Sequence, residues 1–325
     1  MTAPPKIDVS FVVPVFNEAE NIPDLYREMA AAGDGLGLSF EMIFIDDGST
    51  DGSFPALRAL RSTDSRVKVI RLRRNFGQTA ALSAGFDYAH GDVIITLDAD
   101  LQNDPADARR LIAKIQEGYD IVSGWRVKRR DKLFSKRLPS KVANLLISWI
   151  TKVHLHDYGC TLKAFRKDVV KNIKIYGEMH RFIPAIASMI GVAIAEIPVD
   201  HRPRLHGKSK YNLSKSMRVF LDLLTVKFLM SYSTRPLQIF GLLGVLTGGV
   251  GGVLGIVLSY QRLILKQSVS NRPLLLLAVL LIVIGIQFIT MGLLGEIMVR
   301  TYHEAVEKHI YVVREILDGD SDRVL

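Results

Sequence analysis

Two long stretches without a single charged residue dominate the last third of this chain. They occupy residues 236–261 and 273–295. Each is longer than the roughly 20 apolar residues that an α-helix needs to cross the hydrocarbon core of a bilayer. Soluble domains rarely bury helices of this length and composition. The sequence therefore predicts two transmembrane helices, which excludes a fold made of one soluble domain.

The loop between these stretches, residues 262–272, is too short for a domain, so the two helices should form a hairpin with both flanking segments on one side. That side carries basic residues near the ends of the helices: Arg235, Arg300, Lys308 and Arg314. Such residues favour the cytoplasmic side. Basic residues also occur in the loop and weaken the assignment.

Glycines recur every four residues in the first apolar stretch, at Gly244, Gly248 and Gly252. Small residues at this spacing let two helices approach closely. Assembly into a homo-oligomer and packing within the hairpin explain the spacing equally well.

Residues 213–235 combine an apolar stripe with basic residues directly before the first apolar stretch, which favours an amphipathic helix lying in the membrane interface. Residues 140–153 have a similar stripe, typical of either a core helix or a membrane-surface helix. We therefore expect four parts: a catalytic domain (1–212), an interfacial helix (213–235), two transmembrane helices (236–299) and a cytoplasmic tail (300–325).

Strand-like and helix-like patterns alternate over residues 8–125. The strands are apolar and rich in β-branched residues, and helical spacing separates them. This alternation predicts a mostly parallel α/β sheet covered on both faces. The predicted strands are 9–15, 40–45, 67–72, 93–97 and one that starts at 121; the predicted helices are 21–32, 53–60, 78–89 and 107–116.

Polar residues follow the ends of these strands: Asn17, Asp46, Asp47, Asp98, Asp100 and Arg126. Ligands of open α/β sheets bind at the carboxyl ends of the strands. Asp98, Asp100 and Gln102 stand at every second position, so in extended backbone they would point to one face. Carboxylate and amide oxygens suit Mg²⁺ or Mn²⁺ and the diphosphate that such ions carry. Two acidic strand ends indicate a nucleotide-sugar site.

Four motifs occur in a characteristic order: VPVFNE (residues 13–18), DDGSTDG (46–52), NFGQ (75–78) and DADLQNDP (98–105). Their order resembles family-two glycosyltransferases, and the last motif is similar to the dolichol-phosphate mannose synthase branch. The C-terminal hairpin resembles the bacterial polyisoprenyl-phosphate glycosyltransferases, including bactoprenol glucosyltransferases. The resemblance covers residues 8 to about 300.

This resemblance implies a GT-A fold (Rossmann-like, with a mostly parallel sheet), a nucleoside-diphosphate sugar donor, a divalent metal and a polyisoprenyl-phosphate acceptor. It also implies roles for residues that match the family motifs. Pro14, Asn17, Glu18, Asp46 and Asp47 would line the nucleoside pocket, Asp98 would serve ribose and metal, and Asp100 and Gln102 would hold the metal.

Further positions match the family outside these motifs. Arg126, Arg137 and Ser140 correspond to residues that bind the acceptor phosphate. Asp157 would act as a base or orient a sugar hydroxyl, and it could also be a structural turn residue. Arg202 and Lys210 would belong to a loop that closes over the donor diphosphate, although lipid headgroups are a second target for both.

We therefore expect a membrane-bound inverting glycosyltransferase with Asp100 and Asp157 in catalytic roles. Glucose from UDP-glucose is the first choice of sugar, and GDP-mannose and UDP-N-acetylglucosamine stay open. A processive polysaccharide synthase would carry a Gln-x-x-Arg-Trp motif, which neither Trp125 nor Trp149 completes. A non-catalytic lipid- or nucleotide-binding protein is a further alternative. Beside a membrane anchor, the net charge of +9 favours lipid headgroups and phosphates over nucleic acid.

Overall fold

The structure is a computed structural model of the 325-residue chain. It describes residues 6–127, 148, 153–175, 177, 179–203, 236–266, 273–305, 310–318 and 323–324. The chain divides into two compact units. The first comprises Met1–Lys227 and His309–Leu325, and the second comprises Phe228–Lys308. The predicted interfacial helix at 213–235 and most of the predicted helix at 140–153 lie outside the described residues.

A nine-stranded mixed sheet forms the centre of the first unit, in the order β7-β5-β6-β4-β1-β2-β3-β8-β9. Its middle, β3-β2-β1-β4, is parallel throughout. The strands are β1 (Val9–Val15), β2 (Phe40–Asp46), β3 (Val67–Leu72), β4 (Val93–Thr96), β5 (Ile121–Trp125), β6 (Lys163–Arg166), β7 (Ile194–Pro198), β8 (Val313–Leu317) and β9 (Arg323–Val324).

Helices cover both faces of this sheet. Phe11 and Val13 of β1 belong to a core cluster with Leu25 of the first helix. Val12 points to the other face, where a Cβ on Gly85 would lie 2.2 Å from it. The helices of this unit are α1 (Ile22–Leu36), α2 (Ser53–Thr63), α3 (Gln78–Tyr88), α4 (Ala108–Gln116), α5 (Lys167–Asn172) and α6 (Ile183–Ser188). The predicted mostly parallel α/β fold is confirmed.

Two strands run against the rest of the sheet, and the sequence pattern predicts neither. β6 lies between β4 and β5 and is antiparallel to both. β8 pairs antiparallel with β3 and carries β9 at its outer edge. Part of the segment expected to be a cytoplasmic tail, 300–325, therefore belongs to the sheet. Because β8 follows the apolar hairpin, it is not part of the β/α alternation from which the other strands were predicted. It pairs with the edge of β3, which would otherwise be open for pairing with another chain.

Leu317 at the end of β8 should contribute measurably to stability, since it is only 4% exposed and belongs to the main core cluster. Leu317→Ala removes buried apolar atoms and leaves a cavity, which should cost about 2–5 kcal/mol in the free energy of unfolding. Val312, 49% exposed just before β8, provides the control substitution Val312→Ala. Unfolding of the full chain in detergent tests this, and equal stability of the two variants would contradict the packing of β8.

The second unit contains two long helices, α7 (Pro236–Leu263) and α8 (Pro273–Ala305). Within them, Ile239–Leu263 and Pro273–Gly295 are long and apolar enough to cross a membrane. Only 17% and 11% of their most apolar windows are buried in the described structure, which argues against helices in the core of a soluble domain. They are two candidate membrane helices.

Glycines let α7 and α8 approach closely. A Cβ on Gly244 would lie 2.6 Å from the carbonyl oxygen of Gly285, and a Cβ on Gly251 would lie 2.8 Å from that of Ala278. Both distances are shorter than real Cβ contacts, so a larger residue at either position would force the backbone to move. Of the glycines spaced four apart, Gly244 and Gly248 face α8, whereas a Cβ on Gly252 would meet nothing within 4 Å among the described residues. Assembly into a homo-oligomer stays a prediction.

Gly285→Val should loosen the hairpin, because its Cβ would lie 2.7 Å from both the Gly244 oxygen and the Gly248 Cα. Overpacking of this kind costs about 1–3 kcal/mol. Gly249 offers a matched control in α7, since a Cβ there would meet nothing within 4 Å. The midpoint of thermal unfolding in detergent should fall for Gly285→Val and stay unchanged for Gly249→Val; the reverse order would contradict this packing.

Candidate functional site

A cavity of about 410 Å³ opens at the carboxyl ends of β1, β2 and β4. Because these strands are parallel neighbours, their ends meet at one edge of the sheet, as expected for a ligand site. Six of the residues proposed from the sequence line this cavity: Pro14, Glu18, Asp47, Asp98, Asp100 and Gln102. The two acidic strand ends thus share one site.

Asp98, Asp100 and Gln102 reach the cavity from a turn, not from extended backbone. β4 already ends at Thr96, and Leu101 has a φ of 59°, in the left-handed region. The expected alternation along a strand is therefore wrong, although the three side chains do line the same space. The turn also brings the backbone N–H of Gln102 within 3.2 Å of Asp100 Oδ1.

This turn brings together two carboxylates, the partly buried Asp98 and the buried Asp100. Burial, and then repulsion by Asp100, raises the pKa of Asp98 above its ordinary value. Gln78 Nε2 donates to Asp98 Oδ1 at 2.7 Å. No group of three His, Cys, Asp or Glu side chains suited to a metal occurs in the described residues. Two carboxylates and one amide are nevertheless a fitting partial set for a hard cation that takes its other oxygens from water or phosphate.

The loop after β2 is fixed by Asp47. Its Oδ1 accepts from Phe76 N–H at 2.7 Å and its Oδ2 from Gly77 N–H at 2.9 Å. Gly48 has a φ of 69°, and a Cβ there would lie 2.5 Å from the backbone of Arg74, so only glycine fits. Burial is the main reason why the pKa of Asp47 is raised.

Asn17 and Asp46 support the loops instead of lining the cavity. Asn17 has a φ of 56°, and its Oδ1 accepts from Thr50 N–H at 2.8 Å. Asp46 is fully buried; its Oδ1 accepts from Ser49 N–H at 3.0 Å, and its Oδ2 faces Arg71 Nε at 3.5 Å. Both residues therefore hold the loop that follows β2 in place.

Arg126 and Asp157 form a buried bidentate ion pair. Arg126 Nε donates to Asp157 Oδ2 at 2.6 Å, and Nη2 donates to Oδ1 at 2.9 Å. Gly159 N–H also donates to Asp157 Oδ1, at 3.1 Å. Burial alone would lower the pKa of Arg126, but the hydrogen bond and charge of Asp157 outweigh it and raise that pKa. Neither side chain lines the cavity, and Arg126 Nη1 takes no part in the pair.

Arg202 also forms ion pairs with acidic residues. Its Nη1 lies 2.7 Å from Glu28 Oε1, its Nη2 contacts Asp104, and its backbone N–H donates to Gln102 O at 2.9 Å. Arg202 does not line the cavity, so a contact with a donor diphosphate would require these ion pairs to break. Arg137, Ser140 and Lys210 lie outside the described residues.

Lys163, His180 and Arg181 line the cavity too, and the sequence reading did not include them. Lys163 lies on β6 opposite Thr96, is 3% exposed and donates from Nζ to Cys160 O. Burial lowers its pKa. The one usable signal was a lysine inside an apolar run, but its place depends on the antiparallel insertion of β6, which the alternating pattern does not predict.

Comparison with known proteins gives the family. A model described as glycosyl transferase family 2 matches residues 10–174. The chain is 42% identical over 319 residues to the dodecaprenyl-phosphate galacturonate synthase of Rhizobium johnstonii, covering 97% of this chain and 94% of that protein. It is 41% identical over 321 residues to the undecaprenyl-phosphate 4-deoxy-4-formamido-L-arabinose transferase of Salmonella paratyphi A, covering 98% and 96%.

Among solved structures, the chain resembles glucosyl-3-phosphoglycerate synthase from Mycobacterium tuberculosis in complex with Mn²⁺, uridine diphosphate and phosphoglyceric acid. The TM-score is 0.54 with 19% identity, over 68% of this chain and 78% of that one. At this identity the likeness shows the fold alone, and it confirms the expected GT-A-like sheet. Neither full-length relative is named for glucose, so the choice of glucose finds no support there. The chain belongs to glycosyl transferase family 2 and, within it, to the branch of these two full-length relatives.

Proposed function

We propose that this protein transfers a sugar from a nucleoside diphosphate to a polyprenyl phosphate. The observation that carries the proposal is the cavity that joins Glu18, Asp47, Asp98, Asp100 and Gln102 at the carboxyl ends of three parallel strands. The full-length relatives are named for a dodecaprenyl-phosphate and an undecaprenyl-phosphate sugar transfer, which supports the acceptor class. Dolichyl and undecaprenyl phosphate share the reacting group.

Mg²⁺ or Mn²⁺ fits the donor set of the cavity. Asp98, Asp100 and Gln102 would hold it, and the repulsion between the two carboxylates supports a need for positive charge there. When bound, the ion neutralises the diphosphate and stabilises the charge that develops on the leaving nucleotide. The residues Pro14, Glu18 and Asp47 would contact the nucleoside, with the loop of Asp47 held by its two backbone hydrogen bonds.

The acceptor supplies its own nucleophile. A phosphate monoester has a second pKa of about 6, so it is largely a dianion at neutral pH and needs no strong base. One phosphate oxygen forms a bond to the anomeric carbon while the bond from that carbon to the donor diphosphate breaks, and the electron pair leaves with the nucleoside diphosphate. Single displacement of this kind inverts the anomeric configuration.

Asp157 accordingly has a positioning role in this proposal. Both of its carboxylate oxygens accept hydrogen bonds from Arg126, and the nucleophile does not require a base. Arg126 Nη1, which takes no part in the pair with Asp157, stays together with Arg137 and Ser140 the predicted site for the acceptor phosphate. Arg suits such a site because it presents several donors in a plane. Lys210 stays a predicted contact of the donor diphosphate.

Membrane attachment suits an acceptor that is itself a membrane lipid. The candidate membrane helices Ile239–Leu263 and Pro273–Gly295 would keep the enzyme in the bilayer that contains the polyprenyl chain. We propose a cytoplasmic catalytic domain, because Arg235, Arg300 and Lys308 flank the hairpin on its side.

A donor panel tests the function. The purified full chain in detergent is mixed with Mn²⁺, a short polyprenyl phosphate and one radiolabelled nucleotide sugar at a time: UDP-galacturonate, UDP-galactose, UDP-glucose, UDP-N-acetylglucosamine or GDP-mannose. The lipid product is then extracted. At least one donor should label the lipid in a metal-dependent manner. No labelled lipid from any donor, with nucleotide binding intact, would contradict the proposal and favour a binding protein.

A further inference from the structure

Arg181 is a cation in the cavity that has no anionic partner among the described residues. It is half-buried in the short 3₁₀ segment Met179–Phe182, and its side chain lines the cavity. Across the described parts of the chain it makes no hydrogen bond, ion pair or cation–π contact. Arg126 and Arg202, in contrast, are both held by carboxylates.

The backbone that carries Arg181 is anchored close to the acidic turn. The neighbouring His180 is 8% exposed, and its Nδ1 lies 2.9 Å from the hydroxyl of Thr79. Thr79 is next to Gln78, whose amide donates to Asp98 at 2.7 Å. Two short links thus connect Arg181 to the carboxylate that would hold the metal. Arg181 therefore lines the same cavity as the acidic turn that holds the carboxylates for the metal.

The surroundings of Arg181 favour a strong contact with an anion. Leu82, Phe165 and Ile183 line the same cavity, and apolar walls reduce the screening of charge by water. A half-buried guanidinium presents donors in a fixed fork that matches a carboxylate in a bidentate manner. Lys163, a second cationic residue that lines the cavity, already donates to Cys160 O. Arg181 is therefore the group that a ligand anion would satisfy.

We propose that Arg181 binds a carboxylate on the transferred sugar, so that the donor is a nucleoside-diphosphate uronic acid. This inference rests on the proposed function and adds the substrate class. It also separates the two full-length relatives, since galacturonate carries a carboxylate and formamido-arabinose does not. The donor diphosphate is the competing anion, and a metal ion held by Asp98 and Asp100 would match its charge.

Two donors that differ only at C6 test the proposal directly. UDP-galacturonate carries a carboxylate where UDP-galactose carries a CH₂OH group. The wild-type full chain, Arg181→Gln and Arg181→Lys are compared for kcat/KM with both donors, with Arg27→Gln on the exposed face of α1 as the control. Arg181→Gln should lower kcat/KM for UDP-galacturonate by roughly 10²-fold, the value of hydrogen bonds to a charged group, and leave UDP-galactose nearly unchanged. Arg181→Lys keeps the charge and should recover part of the loss.

Several results would overturn this inference. They are equal or better use of UDP-galactose by the wild type, an equal loss with both donors in Arg181→Gln, or a lysine variant no better than the glutamine variant. Affinity for UDP with Mn²⁺, measured by calorimetry, should not change in Arg181→Gln; a loss there would assign Arg181 to the diphosphate. If a neutral sugar labels the lipid and substitution of Arg181 does not change the rate, only this inference fails. If no donor labels the lipid, the proposed function fails.

Discussion

Replacing Asp100 by Asn should lower sugar transfer by on the order of 10³-fold, since a bound metal supplies several kcal/mol of charge stabilisation and each 1.36 kcal/mol is tenfold in rate. Asp100 is only 6% exposed and lines the cavity beside Asp98. Asn keeps the shape and an oxygen for the N–H of Gln102 but removes the negative charge. Labelled lipid formed per minute by the purified full chain measures the loss.

The control for this substitution is Asp24→Asn on α1, an exposed carboxylate that pairs with Arg27. It should transfer sugar at the wild-type rate. Titration with Mn²⁺ followed by electron paramagnetic resonance gives a second readout, and Asp100→Asn should need a higher Mn²⁺ concentration to bind. Wild-type turnover and wild-type Mn²⁺ affinity in Asp100→Asn would refute the assignment of the metal to this turn.

Breaking the pair of Arg126 and Asp157 should give the largest loss of stability. The two side chains are only 14% and 3% exposed, and they share two hydrogen bonds. Asp157→Leu leaves a buried guanidinium without its partner, which costs about 3–5 kcal/mol in the free energy of unfolding. Arg126→Met should cost a similar amount. The double variant should lose much less than the sum, because apolar side chains of similar volume can replace a buried ion pair at little cost.

Unfolding by denaturant in detergent, over the four combinations of the cycle, isolates the coupling between the two residues. Additive losses would mean that the two charges do not stabilise each other. An Asp157→Leu variant as stable as the wild type, with transfer abolished, would instead restore Asp157 to the role of a base.

The fold was predictable from the sequence wherever one local pattern governs one element. β1 and β3 begin and end where the apolar runs do, and the helices between them follow the spacing of residues such as Leu25 and Met29. The pattern could not place β6 and β8, because their positions depend on pairing with distant strands. β8 pairs with β3 across more than two hundred residues of chain, and no local period records such a partner.

The site was predictable where the chemistry stands in consecutive motifs at strand ends. Asp47, Asp98 and Asp100 meet at one cavity because parallel strands bring their ends together. The geometry of the acidic turn was not predictable, since the left-handed Leu101 breaks the alternation. Lys163 and Arg181 were not predicted to line the cavity, because they lie far from the motifs in the sequence and no local pattern marks them.

For Arg126 and Arg202, the ligand predicted from the sequence differs from the partner in the structure. Motif correspondence gave each of them a phosphate to bind, but the structure gives each a carboxylate partner. The sequence does not show whether an arginine is available to bind a ligand or is already paired with a carboxylate of the protein. Arg181, in contrast, lines the cavity and has no carboxylate partner among the described residues.

The most direct test is a crystal structure of the full chain with Mn²⁺ and UDP, with the anomalous signal of manganese measured. One manganese peak should lie within bonding distance of the Asp98 and Asp100 carboxylates and the Gln102 amide oxygen, with the diphosphate oxygens completing its coordination and the uridine near Pro14 and Asp47. A nucleotide bound elsewhere, or manganese without contact to Asp98 and Asp100, would contradict a sugar-transfer site at this edge of the sheet.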